Sequence, residues 1–180
     1  MREFDSKVAF VTGAASGIGL ALARAFGRAK MRVMLADIET DALNAAVAEL
    51  QGSGIDARGV ECDVADYNSV QRAAAETLAA FGKVHLLCNN AGAVAGGPME
   101  LITLGDWDWV LGVELMSNIY AIKAFLPQIK NRARVVTSCR WPQWLDLCAS
   151  LVLVPTMSPN LELERFRKHS RRSSQARQSV

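Results

Sequence analysis

Cysteine is scarce in this chain and never closely paired. Cys62, Cys88, Cys139 and Cys148 are the four present, and none stands at Cys-x-x-Cys spacing. A zinc ribbon or a dithiol redox centre needs that spacing, so the thiols read as reduced and structural, as in a cytoplasmic protein. Histidine is scarcer still. His85 and His169 are the only two, too few and too far apart for a metal site, and no metal is expected. No apolar run approaches the roughly 20 residues of a membrane-spanning helix. The opening Met1-Arg2-Glu3-Phe4-Asp5-Ser6-Lys7 is too charged for a secretory signal. No membrane association is expected. Proline is sparse, at five residues, and no repeat or low-complexity linker interrupts the chain.

Charge excludes little until it is divided. The formal net charge is +2, yet the last twenty residues carry six Lys/Arg against two Glu, which leaves the rest at −2. A mildly acidic body gives no case for nucleic-acid binding. The stretch Phe166-Arg167-Lys168-His169-Ser170-Arg171-Arg172 has the composition of an anionic-surface or nuclear-import patch. It lacks apolar periodicity, so an unstructured terminus explains it with fewer assumptions.

What is present is a regular alternation. The 180 residues are 51% hydrophobic, enough for one domain with a buried core. Short apolar runs at residues 7–11, 32–36, 57–62, 84–88 and 134–137 read as strands. Helical patterns fall between them at 17–29, 40–50, 66–81 and 107–125. Alternating strands and helices predict an α/β fold, a doubly wound parallel sheet covered on both faces. Thr40 and Asp41 are expected to cap the second helix and Asp66 the third, with Gly82 as a stop.

The run Thr12-Gly13-Ala14-Ala15-Ser16-Gly17-Ile18-Gly19 lies at the first strand-to-helix turn, where a dinucleotide site needs glycine. Gly13 permits the tight turn, Gly17 lets backbone approach a pyrophosphate, and Gly19 lets helix and strand pack closely. A purely structural turn is the competing reading. Asp37, ending the next apolar run, is placed to accept bonds from ribose hydroxyls.

The spacing TGxxxGxG, with Asn89-Asn90-Ala91-Gly92 after the fourth strand, resembles the short-chain dehydrogenase/reductase family over residues 5–137. That resemblance implies a Rossmann-like fold, incomplete at the C-terminal end, with an NAD-binding domain at 1–138 and a divergent basic tail at 139–180. It implies hydride transfer between a nicotinamide and a small alcohol or carbonyl substrate. The implied cofactor contacts are Gly13, Ser16, Gly17, Ile18, Gly19, Asp37, Asp63, Val64, Asn89, Ala91 and Gly92. Asp63 as a plain loop acid and Asn90 as a plain turn residue remain alternatives. Asp37, with no arginine beside it, implies NAD rather than NADP.

The family's catalysis uses a Tyr-x-x-x-Lys pair, a Ser, and an Asn on the long helix. This sequence has no Tyr-x-x-x-Lys. Tyr120 has Lys123 three residues on, inside a helix, and Tyr67 has no lysine at the needed offset. Glu114 stands where the family has Asn, with Asn118 one turn on. Ser138 follows the fifth strand. No catalytic residue is assigned: Glu114 and Ser138 are candidates, with Asn118 as a substitute on the same helix face and a generic strand-end serine as the alternative for Ser138. Turnover is expected to be weak or absent. A non-catalytic NAD-binding fragment, or a dimerisation partner of full-length subunits, is the alternative; poor folding with an uncovered sheet edge is a third reading. Trp107, Leu111, Leu115, Ile119 and Ile122 share one helix face, as core or as a homo-oligomer interface. The family commonly dimerises through this helix.

After Thr137 the pattern breaks. Read one base out of frame, the codons permitted for Pro155-Thr156-Met157-Ser158-Pro159-Asn160 allow Tyr-Asn-Val-Ser-Lys, the missing pair. A frame change between residues 136 and 141 is the expectation.

Overall fold

The computed structural model describes residues 4–129 and 134–137. Five parallel strands form one sheet in the order β3-β2-β1-β4-β5. They are β1 (Val8–Thr12), β2 (Arg32–Asp37), β3 (Ala57–Glu61), β4 (Leu86–Asn89) and β5 (Arg134–Thr137). The chain winds from β1 outward to β3, then returns to place β4 on the other side of β1. In an open parallel sheet such a reversal leaves a crevice beyond the carboxyl ends of the two strands.

Strand residues alternate between two cores. Val8 and Phe10 face one side with Met34, Ala36 and Leu87, and Ala9 and Val11 face the other with Val33, Leu35 and Cys88. Both faces of β1 are fully buried, as a central parallel strand requires. Helices α1 (Gly17–Arg28) and α2 (Thr40–Gly52) cover the second face. Helix α3 (Tyr67–Phe81) covers the first, through Val70, Ala74 and Phe81. The Phe10 ring meets Phe125 at 4.7 Å between centroids, tilted by 50°. Such a pair contributes about 0.5–1.5 kcal/mol beyond its buried area.

Asp66 caps α3 as expected, accepting bonds from Asn68 N–H at 3.0 Å and Ser69 N–H at 3.2 Å. Gly82 ends the helix at φ +77°. The α2 cap differs from expectation. Glu39 is the N-cap residue without a side-chain cap bond, and the Thr40 hydroxyl instead donates to Glu61 at 3.2 Å.

The long helix differs most. Its first part, α4 (Leu104–Leu111), starts three residues before the expected point. Thr103 and Asp106 form a reciprocal capping box there. A π-helical turn, Gly112–Met116, then separates α4 from α5 (Ser117–Ile129). A short 3₁₀ turn, Met99–Leu101, precedes them. The apolar face expected to be core or interface is not core in this chain. Trp107, Leu111, Leu115 and Ile119 are 40–47% exposed, and only Ile122 of that set packs on the core. Residues 138–180, which include the expected tail at 139–180, lie outside the described residues.

Candidate functional site

Beyond the ends of β1 and β4 the glycine turn closes so tightly that side chains have no room. Gly13 has φ +61°, and a Cβ there would lie 2.8 Å from the Ala91 Cα. A Cβ on Gly19 would lie 2.0 Å from the Gly13 carbonyl oxygen and 2.6 Å from Asn90 Nδ2. Ser16 caps α1 without a side-chain bond. The first-turn N–H groups therefore have no intrahelical acceptor and sit at the positive end of the helix dipole. Ser16, Gly17 and Ile18 are exposed and line a cleft.

The β4 side is fastened to β1 by one threonine. Thr12 Oγ1 accepts from Asn90 N–H at 2.9 Å and from Ala91 N–H at 3.0 Å. Asn90 Nδ2 donates back to the Thr12 carbonyl at 3.0 Å and to the Gly13 carbonyl at 3.2 Å. Asn90 is thus a brace between the glycine turn and the β4 loop. Asn89, the last residue of β4, is buried. Sequence reading placed Thr12 at the head of the glycine motif but gave it no role, because its partners Asn90 and Ala91 lie far along the chain.

Asp37 ends β2 on the far side of the glycine turn. Its carboxylate accepts from Ala15 N–H at 2.9 Å and from Glu39 N–H at 3.2 Å. The same acid that faces the cleft therefore also pins the turn. Asp63 lines the cleft and accepts from Ala65 N–H at 2.9 Å, a loop-forming bond, while its own N–H donates to Ser69 Oγ at 3.1 Å. Val64 and Cys62 are buried beside it. Burial pushes the Cys62 thiol up to about 11, so it stays protonated and unreactive near neutral pH.

Glu114 comes from the π turn. Its Oε1 accepts from Ala93 N–H at 2.7 Å. Asn118 Nδ2 donates to the Glu114 carbonyl at 2.7 Å. Tyr120 does not stand with Lys123 as a pair here; Lys123 lies over the Tyr67 ring at 5.2 Å. Ser138 lies outside the described residues.

All eleven sequence-predicted contact residues except Gly19 line one cleft of about 780 Å³, and Gly19 packs directly beneath it. Ile38, Val94, Trp109 and Val113 join the lining without having been singled out as cofactor contacts. The periodic stripe of the long helix drew attention to Trp107 rather than to Trp109. The cleft offers backbone donors at one place, a carboxylate at another and an apolar slot at a third. Such a surface suits a phosphate, a ribose diol and a flat base together. Among the described residues no helix is long and apolar enough to cross a membrane.

Comparison with known proteins agrees with this geometry. A family model described as short chain dehydrogenase matches residues 7–139. A D-threitol dehydrogenase of Mycolicibacterium smegmatis is 42% identical over 170 residues, covering 90% of this chain and 65% of that protein. That alignment extends into the tail, past the end of the family match. Among solved structures, a short-chain dehydrogenase/reductase from Burkholderia phymatum in complex with NAD is 42% identical with a TM-score of 0.73, covering 76% of this chain and 50% of that one. A metagenomic short-chain oxidoreductase in complex with NADP is 32% identical with a TM-score of 0.70, covering 74% and 61%. The chain spans about half the length of most of the curated relatives it matches. From strand order to glycine turn to family match, the chain belongs to the short-chain dehydrogenases/reductases, a family of oxidoreductases with a Rossmann-type nucleotide-binding fold.

Proposed function

We propose that the β1/β4 cleft binds NAD in preference to NADP, as the cofactor half of an enzyme for hydride transfer to or from a small alcohol or carbonyl compound. The observation that carries this is Asp37. Its carboxylate lines the cleft at the end of β2, held by Ala15 and Glu39 N–H groups. A fixed carboxylate accepts from both ribose hydroxyls but repels a 2′-phosphate. Neither Ala14 nor Ala15 supplies a compensating cation.

The residues present suit the group. Gly13 and Gly19 leave a cradle that a Cβ would fill, and the α1 N–H groups would hold the pyrophosphate. Asp63 and Val64 would border the adenine, and Asn89, Ala91 and Gly92 would form the wall beside the adenosine and its ribose. When bound, the nicotinamide supplies the hydride or accepts it. This chain's own residues bind and orient it. They include no Tyr-x-x-x-Lys pair to move the accompanying proton, and removing acid/base catalysis costs about 10²–10⁴-fold in rate.

The test is a titration with NADH and NADPH, alongside an assay for NAD-dependent alcohol oxidation. NADH is expected to bind more tightly than NADPH. Asp37→Ala should weaken NADH and narrow the gap. Turnover should fall at least about 10²-fold below an intact relative. Equal affinity for both nucleotides would remove the NAD preference, and a normal rate would remove the proposed loss of proton transfer. We further propose that the exposed stripe on α4 and α5 pairs two copies of the chain, and that the protein resides in the cytoplasm.

A further inference from the structure

The loop that leaves β4 carries much of one cleft wall, with no regular secondary structure over residues 90–96. It is held at two places. Thr12 Oγ1 takes the N–H groups of Asn90 and Ala91. Three residues after Asn90, Glu114 Oε1 takes the N–H of Ala93 at 2.7 Å, a short bond to a charged acceptor. The two fastenings come from different layers, one from the sheet and one from the helices.

Three further features converge on Glu114. It sits inside the π turn Gly112–Met116, which breaks the regular α register between α4 and α5. Its backbone carbonyl is taken by Asn118 Nδ2 at 2.7 Å, which ties the π turn to the start of α5. A Cβ on Gly92 would stand 2.9 Å from the same Oε1 that holds Ala93. A Cβ at 92 would therefore displace this carboxylate oxygen, so the bond as it stands uses the room that glycine leaves.

We propose that Glu114 is a positioning residue that fastens the β4 wall of the cleft before nucleotide arrives, acting as a hydrogen-bond acceptor rather than as a proton carrier. Its Oε1 is committed to a backbone amide, which neither gives nor takes a proton in hydride transfer. The expected effect on nucleotide affinity rests on the NAD-binding reading above, whereas the fastening itself does not.

The test uses the full chain and two measurements: hydrogen exchange at the Ala93 amide without nucleotide, and NADH affinity. Glu114→Ala should speed Ala93 exchange about tenfold and weaken NADH by about tenfold, the size of leaving one backbone N–H without its acceptor. Glu114→Gln keeps an oxygen at the same reach and should hold both within about threefold of the parent. Gly92→Ala, which crowds the same oxygen, should speed Ala93 exchange by less than Glu114→Ala and add little to that variant's exchange rate. Unchanged Ala93 exchange in Glu114→Ala would overturn the proposal. So would a Gln variant as damaged as the Ala variant, because charge would then be the requirement. If Glu114→Ala fails to fold, the Gln and Gly92→Ala variants decide. If the parent binds no NADH, the exchange arm still decides this inference while the NAD reading fails alone.

Discussion

His85 shows how one side chain can report on folding. It stands just before β4, where its Nδ1 accepts from Val8 N–H at 3.0 Å while the His85 backbone N–H donates to the Val8 carbonyl at 2.9 Å. Accepting at Nδ1 requires the neutral ring. Burial, then the charges of Lys7, Arg32 and Lys83, hold its pKa below the ordinary imidazole value. As pH falls, the unfolded chain takes up this proton first. The histidine's contribution is therefore intact above about pH 6.5 and is lost as pH falls from there toward the lower folded-state value. Thermal unfolding followed from pH 7.5 to 5 should show a drop that His85→Asn, with a non-titrating acceptor, reduces. An identical pH profile in the variant would show that other groups carry the slope. At the same scale, Gly13, Gly17, Gly19 and Asp37 were legible from the strand-to-helix turn and the strand that follows it, whereas Asp63, Val64, Asn89, Ala91 and Gly92 were named only through the family resemblance. Thr12 and Glu114 were harder to read as structural fasteners. Their partners lie 78 and 21 residues away, a separation no local pattern encodes.

At the scale of elements, strand and helix order was legible because the apolar runs are short and buried on both faces, and glycines mark several of the turns. The long helix was not. A 3.6-residue period cannot announce a π turn, which inserts a residue and rotates the face after it. The start of α4 was legible in principle, since Thr103-x-x-Asp106 has capping-box spacing. The exposed stripe is a different matter, because periodicity marks an apolar face without saying what covers it. Trp107, Leu111, Leu115 and Ile119 remain 40–47% exposed, and Trp109 is 52% exposed nearby. The proposed pairing of two copies would cover this face. Leu115→Lys with Ile119→Lys should shift the chain toward monomer in light scattering coupled to size exclusion, with secondary structure retained. A parent that is already monomeric at high concentration would end the pairing proposal.

For the whole molecule, the fold class followed from alternation alone, and the position of the cleft followed from the strand order 3-2-1-4-5. The tail did not yield to the same reasoning, because physical pattern ends near Thr137 and the family match ends at residue 139. We propose a changed reading frame as the cause of both, since the shifted codons permit Tyr-Asn-Val-Ser-Lys. The D-threitol dehydrogenase alignment, which extends past residue 139, is the observation against it. Sequencing the coding DNA decides: a shifted frame encoding that tyrosine and lysine supports the account, and one that does not encode them refutes it.

The central claim is that a dinucleotide lies across the β1/β4 cleft with its pyrophosphate on the glycine turn. The most direct test is to add NADH to isotope-labelled protein and follow backbone amide chemical shifts. The account predicts saturable shifts concentrated at Gly13, Ser16 to Gly19, Asp37, Asp63 and Asn89 to Gly92, with α2 unmoved. Shifts elsewhere, or none at saturating NADH in a folded sample, would contradict it.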